Sequence, residues 1–146
     1  MNKMLFGLLA AVLLVTPAFA KSSTQALPDL TVRNLKADYD GKYVNVELDV
    51  LNKGKEYAKS YSLKVSVFDE DGVRVSEMGV SCAYPDPKAQ STCFLKPGES
   101  RHSGFGFAAY GLKPGKYKFV AVVDETNQVW ESNENNNEME KHFIVK

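Results

Sequence analysis

Residues 44–50 read VNVELDV. Val44, Val46, Leu48 and Val50 fall on one parity, and Asn45, Glu47 and Asp49 on the other. A period of two belongs to a strand with one face in a core and one in water, because successive side chains leave opposite faces of the pleat. The segment is therefore read as a half-buried strand. Asp40-Gly41 supplies a turn before it, and Asn52-Lys53-Gly54 ends it.

The same period recurs on both sides. After Pro28, Leu30 and Val32 alternate with Thr31 and Arg33. Leu63, Val65 and Val67 alternate with Lys64 and Ser66, and Asp69-Glu70-Asp71-Gly72 reads as a hairpin turn in which Asp-Gly supplies positive φ angles before Val73–Val80 returns. Leu-Lys-Pro-Gly occurs twice, at 95–98 and 112–115, and Pro then Gly at the centre is the type II signature. Between them Phe105 and Phe107 alternate with Gly104 and Gly106, so that one face is bare, as on a twisted edge or under a close neighbouring backbone. Tyr117–Val123, YKFVAVV, is apolar on both parities and reads as a central strand; Glu138–Val145 closes the series. Seven regularly spaced strands and no helical pattern predict an all-β, seven-stranded immunoglobulin-like β-sandwich. The Cys…Trp…Cys order of antibody domains is absent, because Trp130 follows both cysteines.

Ahead of the strands, residues 1–20 carry Lys3, the unbroken apolar run MLFGLLAAVLLV at 4–15, Pro17 and the small-x-small ending Ala18-Phe19-Ala20. That is the pattern of a secretory signal peptide. As a membrane span it is short, since crossing takes about 20 apolar residues. The expected organisation is a leader at 1–20, a flexible lead-in at 21–27 and one sandwich domain at 28–146, exported to the periplasm or beyond, with no stable membrane insertion once the leader is cleaved. Removing the leader takes away Lys3 and no acid, leaving 17 basic against 18 acidic residues. This balance offers no basic stripe, so nucleic acid is not an expected partner. Cys82 and Cys93 bracket a Pro-containing loop, and in an oxidising compartment they are expected to form a disulfide.

The chain resembles the CARDB family, the cell-adhesion-related domain of bacteria. The residues that carry the likeness are Pro28-Asp29-Leu30-Thr31-Val32, Val50-Leu51-Asn52-Lys53-Gly54 followed by Ala58, Leu95-Lys96-Pro97-Gly98, Gly115-Lys116-Tyr117 leading to Val123-Asp124, and above all Glu131-Ser132-Asn133-Glu134-Asn135-Asn136. The resemblance implies a seven-stranded sandwich outside the cytoplasm, ordinarily one unit of a larger surface protein. Here there is one unit, with the Cys-bracketed loop as an insertion.

One stretch concentrates polar chemistry: residues 124–137, DETNQVWESNENNN, where nine of fourteen residues are Asp, Glu or Asn around the only Trp. Three readings compete. As a strand-joining corner, its Asn and Asp side chains would bond to nearby backbone groups that have lost their sheet partners. As a calcium site, Asp124, Glu131 and Glu134 would supply carboxylates and Asn133 or Asn136 a carbonyl oxygen, although no D-x-D-x-D-G loop is present. As a ligand site, Val129 pointing inward would turn Trp130 outward toward a sugar ring or a protein, with Tyr84 or Tyr110 beside it; otherwise Trp130 would lie over its own sheet and shield Val120 or Val122. Nucleophile elbows, zinc-protease helices and phosphate loops are missing, and neither His102 nor His142 has an evident partner in sequence. The expected function is a non-catalytic module for protein or glycan contact, with a structural or assembly role in the envelope, through self-association and with or without calcium, as the alternative.

Overall fold

The protein is described by a computed structural model covering residues 25–81, 94–108 and 112–146. No helix occurs among them. Nine strands follow in order: β1 Leu30–Tyr39, β2 Tyr43–Asn52, β3 Ala58–Lys59, β4 Ser62–Phe68, β5 Arg74–Ser81, β6 Phe94–Leu95, β7 Ser100–Ala108, β8 Gly115–Val123 and β9 Glu138–Val145. Seven are long. The two beyond the expected seven, β3 and β6, are a two-residue ribbon too brief to leave a periodic trace.

One sheet has the order β1-β2-β7 and the other β5-β4-β8-β9, and all pairings are antiparallel. The stretch 44–50 behaves as its pattern requires: Val44, Val46, Leu48 and Val50 are buried, while Asn45 and Glu47 are exposed. Those side chains join Leu63, Val65, Val67, Phe119, Ala121 and Val123 of the facing sheet in a single core. Each such Val, Leu or Phe removed from water contributes roughly 1.5–3 kcal/mol, which makes this shared layer the main favourable term in the fold. β8 is central, as its two-sided apolar pattern predicts.

β1 runs six residues beyond the alternation visible at its start. Leu30 and Val32 point inward; then the register shifts between Arg33 and Lys36, Asn34 takes φ 55°, and Leu35 becomes the buried residue. This bulge changes which parity faces the core, and Asn34 stabilises it by donating its side-chain amide to Asp49 Oδ2 at 2.6 Å.

The turns divide. At Asp69–Gly72 the Gly72 N–H meets the Asp69 carbonyl at 3.1 Å, and only Gly72, not Asp71, has positive φ; Asp69 Oδ1 also accepts the Asp71 and Val73 N–H groups. Lys96–Glu99 is the type II turn expected, with Gly98 at φ 76° and a 2.9 Å closing bond. Its sequence twin is not one. Gly115 lacks positive φ and opens β8, and the segment is instead fixed by the Tyr117 hydroxyl donating to the Lys113 carbonyl at 2.9 Å, a tyrosine corner. Gly104 and Gly106 lie on β7, an edge strand, with open space or only the Asn45 side chain above them; the close backbone approach is at Gly54, where a Cβ would lie 2.4 Å from the Leu27 carbonyl oxygen.

Candidate functional site

The Asp124–Asn137 loop joins β8 to β9 at one end of the sandwich. At its entry Asp124 adopts φ 53°, a conformation Asp tolerates better than most residues. Its side chain is 1% exposed and points back into the loop, where the carboxylate oxygens accept the N–H groups of Gln128 at 3.1 Å and Val129 at 2.7 Å. Its own N–H donates to the Ser62 carbonyl at 2.7 Å. One carboxylate thus replaces the ladder partners that these amides lose when β8 ends.

The exit is sewn to the N-terminal segment. Glu131, 8% exposed, accepts the Leu30 N–H on one oxygen and the Asn137 amide on the other, the latter at 2.8 Å. Ser132 N–H donates to the Pro28 carbonyl at 2.9 Å, and the Asn136 amide to Asp29 Oδ1 at 2.7 Å. Within the loop Glu134 Oε1 accepts the Glu131 N–H at 2.9 Å and Asn133 Oδ1 accepts the Asn135 N–H at 3.1 Å. Burial pushes the Glu131 carboxyl up to about 7; the bonds from Leu30 and Asn137 pull the other way, and the charges of Glu134 and Asp124 add to the rise.

The calcium donors named from sequence are therefore distributed rather than assembled. Asp124 and Glu131 spend both oxygens on N–H donors, and Asn133 is turned into its own loop. Among the described residues no three His, Cys, Asp or Glu side chains converge on a metal position. Two atoms are left over: Asn136 Oδ1 and Asn137 Oδ1 are buried without a hydrogen-bond partner.

Trp130 stands at the crest. Val129 before it and Glu131 after it are both buried, and strand-like alternation throws the indole out, 82% exposed. It does not lie over Val120 or Val122. Tyr84, Tyr110, Cys82 and Cys93 lie outside the described residues. His102, unpaired in the sequence reading, meets Asp49 Oδ1 at 3.0 Å on an exposed surface. Sequence reasoning used Asn52, the end of β2, only as a strand terminator and as part of the family likeness, and missed its bonding role. It is fully buried; its Oδ1 accepts the Asp29 and Gly54 N–H groups, and its Nδ2 donates to the Glu56 and Leu95 carbonyls, at 2.8–3.1 Å. A polar residue on the inward parity of an otherwise apolar strand was the available signal.

Two antiparallel sheets, a tyrosine corner and a polar end-loop define an immunoglobulin-like sandwich. The CARDB family model matches residues 27–141, and the chain belongs to that family. Its structure is similar to the crystal structure of the CARDB domain of a Pyrococcus furiosus protein in complex with di-metal ions: 28% identity, 84% of this chain and 97% of that one, TM-score 0.59. A domain of a Methanosarcina acetivorans protein described as a cell surface protein is 22% identical over 82% of this chain and 93% of that one, TM-score 0.57, a likeness of fold. So is the match to part of a Thermotoga neapolitana β-glucosidase in complex with glucose, 13% identical over 81% of this chain but 16% of the enzyme, TM-score 0.52. No curated protein matches the chain.

Proposed function

We propose that the chain is an exported, non-catalytic contact module that presents Trp130 to a protein or glycan partner. The observation that carries this reading is the indole at 82% exposure between two buried residues, on a loop bonded to Pro28, Asp29 and Leu30. Holding a large amphipathic ring in water gains nothing for folding. Held in advance on a fixed support, it lowers the ordering cost of a contact and suits stacking on a sugar ring or filling a protein pocket. Membership in CARDB fits a non-enzymatic role of this kind, and the apolar run at 4–15 supplies the route out of the cytoplasm. The Cys82–Cys93 pair would form its bridge there, flanking the end of β5 and the start of β6. Mass spectrometry of the secreted chain is expected to find residue 21 as the first residue and a mass two hydrogens below the dithiol.

The direct test is a glycan array and a binding assay on envelope fractions, using the mature chain and Trp130→Ala at matched melting temperature. Loss of binding in the variant supports the reading; equal binding by both proteins removes Trp130 from it. A second reading, an envelope assembly component, is favoured by the edges of the larger sheet. Val75 and Val80 on β5 and Ile144 on β9 are exposed, with Val73 just before β5, and an open strand edge can pair with another chain. Sedimentation at rising concentration is expected to show association that Val75→Lys suppresses if this role holds.

A further inference from the structure

Beside the loop that carries Trp130 lies a recess of about 350 Å³, with Leu27, Lys53, Gly54, Lys55 and Ser132 in its walls. That volume lies within the usual range of small-molecule sites. Main-chain bonds hold the walls in place. Lys53 and Lys55 donate their N–H groups to the Asp29 and Leu27 carbonyls at 2.7 and 3.0 Å, so residues 27–29 continue the β1–β2 ladder past the Leu30–Asn52 pair. On the far side of this segment the Ser132 N–H donates to the Pro28 carbonyl at 2.9 Å. In the loop Val129 and Glu131 turn inward, while Trp130 and Ser132 are exposed. Two residues of chain span no more than about 7 Å, so the indole is rooted at the rim of the recess.

The charge of the recess is one-sided. Lys53 and Lys55 are exposed, and neither ammonium makes a hydrogen bond or ion pair among the described residues. By contrast, Lys64 meets Glu77 and Glu125, and Lys118 meets Glu140. No acid among the described residues lines the recess, and the nearest acids in sequence, Asp29 and Glu56, each accept a hydrogen bond from the protein itself. The surroundings of the indole are polar: Gln128, Ser132 and Asn133 are all exposed. A protein hot spot sits in an apolar, water-excluding ring, which this rim does not supply. A sugar needs only the flat aromatic face, and a lysine ammonium is a point charge suited to carboxylate, sulfate or phosphate.

We propose that the contact site runs from Trp130 into this recess and takes an acidic glycan, with a sugar ring on the indole and the anionic group of the same or the next sugar on Lys53 and Lys55. The proposal rests on the contact reading of Trp130 and narrows it to one class of ligand. Because both cations are exposed, the attraction is screened by salt, and binding weakens as ionic strength rises.

The test is an array of uronate-bearing, sialylated, sulfated and phosphorylated glycans, each beside its neutral parent, probed with the mature chain, Trp130→Ala and the double variant Lys53→Gln/Lys55→Gln. Polyglutamate serves as an acidic peptide control. The double variant keeps both main-chain bonds, so its melting temperature should match the parent and report a folded protein. Expected is binding to acidic glycans at least about tenfold tighter than to their neutral parents, a margin that both the double variant and high salt erase. Trp130→Ala should remove binding to either form. Neutral parents bound as tightly as the acidic forms, through Trp130, would overturn this inference and leave the contact reading standing. Polyglutamate bound as tightly as any glycan would replace the glycan with an acidic peptide. Binding by no glycan, or binding indifferent to Trp130, would remove the contact reading and this inference with it.

Discussion

At Asn52 the chain turns out of β2 and every polar atom of the side chain is used: two N–H groups donate to its oxygen, and its amide donates to two carbonyls. The backbone of the same residue is paired too, through Glu99 and Gly98. At the other polar corner, Asp124–Asn137, most of the bonding is equally local, yet the result is incomplete. It buries a carboxyl whose ionisation its surroundings resist, leaves two amide oxygens without donors, and holds the only Trp in water. Both corners solve one problem, satisfying backbone groups where strands end. Only the second retains unused chemistry, and that separates a joint from a candidate site.

The sharpest way to break this contrast is at the closed corner. Asn52→Ala would strand the Asp29 and Gly54 amides and the Glu56 and Leu95 carbonyls, and is expected to destabilise by about 3–5 kcal/mol in urea unfolding. A loss below about 1 kcal/mol would mean water replaces the side chain at no cost, and the contrast would fail. Gly54→Ala comes next. Its Cβ would press on the backbone of residues 27–29, for an expected cost of about 1–3 kcal/mol, visible as a lower melting temperature.

The open corner should respond to pH. The Glu131 carboxyl sits at about 7 in the folded chain against an ordinary value of 4.5. The folded state therefore holds that proton more tightly than the unfolded one. Its contribution to stability is complete below about 4.5, falls as pH rises, and is gone above about 7. Unfolding free energy measured across this window should decline with rising pH, and Glu131→Gln should flatten the slope. An increase with pH would show that the Leu30 and Asn137 bonds, which favour the charged form, outweigh burial. The smallest effect is expected at Trp130. Trp130→Ala should leave stability within about 0.5 kcal/mol of the parent, as exposed sites usually do, while removing the contact surface.

The sandwich was legible wherever one parity stayed on one face. Val44 to Val50 and Leu63 to Val67 show their burial in the letters alone. Legibility failed where the backbone broke its own period. The Asn34 bulge swaps parity inside β1, so that Leu35, Ala37 and Tyr39 no longer continue the row begun by Leu30 and Val32. It failed again at the second Leu-Lys-Pro-Gly, where a distant requirement, the Tyr117 hydroxyl bond to Lys113, set a conformation different from that of the identical four residues at 95–98. In the polar loop, sequence identified the chemistry but not its allocation. Nothing local says that Glu131 reaches Leu30, 101 residues away, or that Asn136 reaches Asp29. The turn of Trp130 outward followed from Val129 turning in, a rule of alternation that holds even in this short extended piece.

All of this rests on a loop that keeps its indole in water while the residues on either side are buried. Because Trp130 is the only Trp, acrylamide quenching of its fluorescence reads that directly. In the folded chain the quenching constant should be close to the value in urea, with little red shift of emission on unfolding. A shielded, blue-shifted emission that moves to the red as the protein unfolds would contradict it.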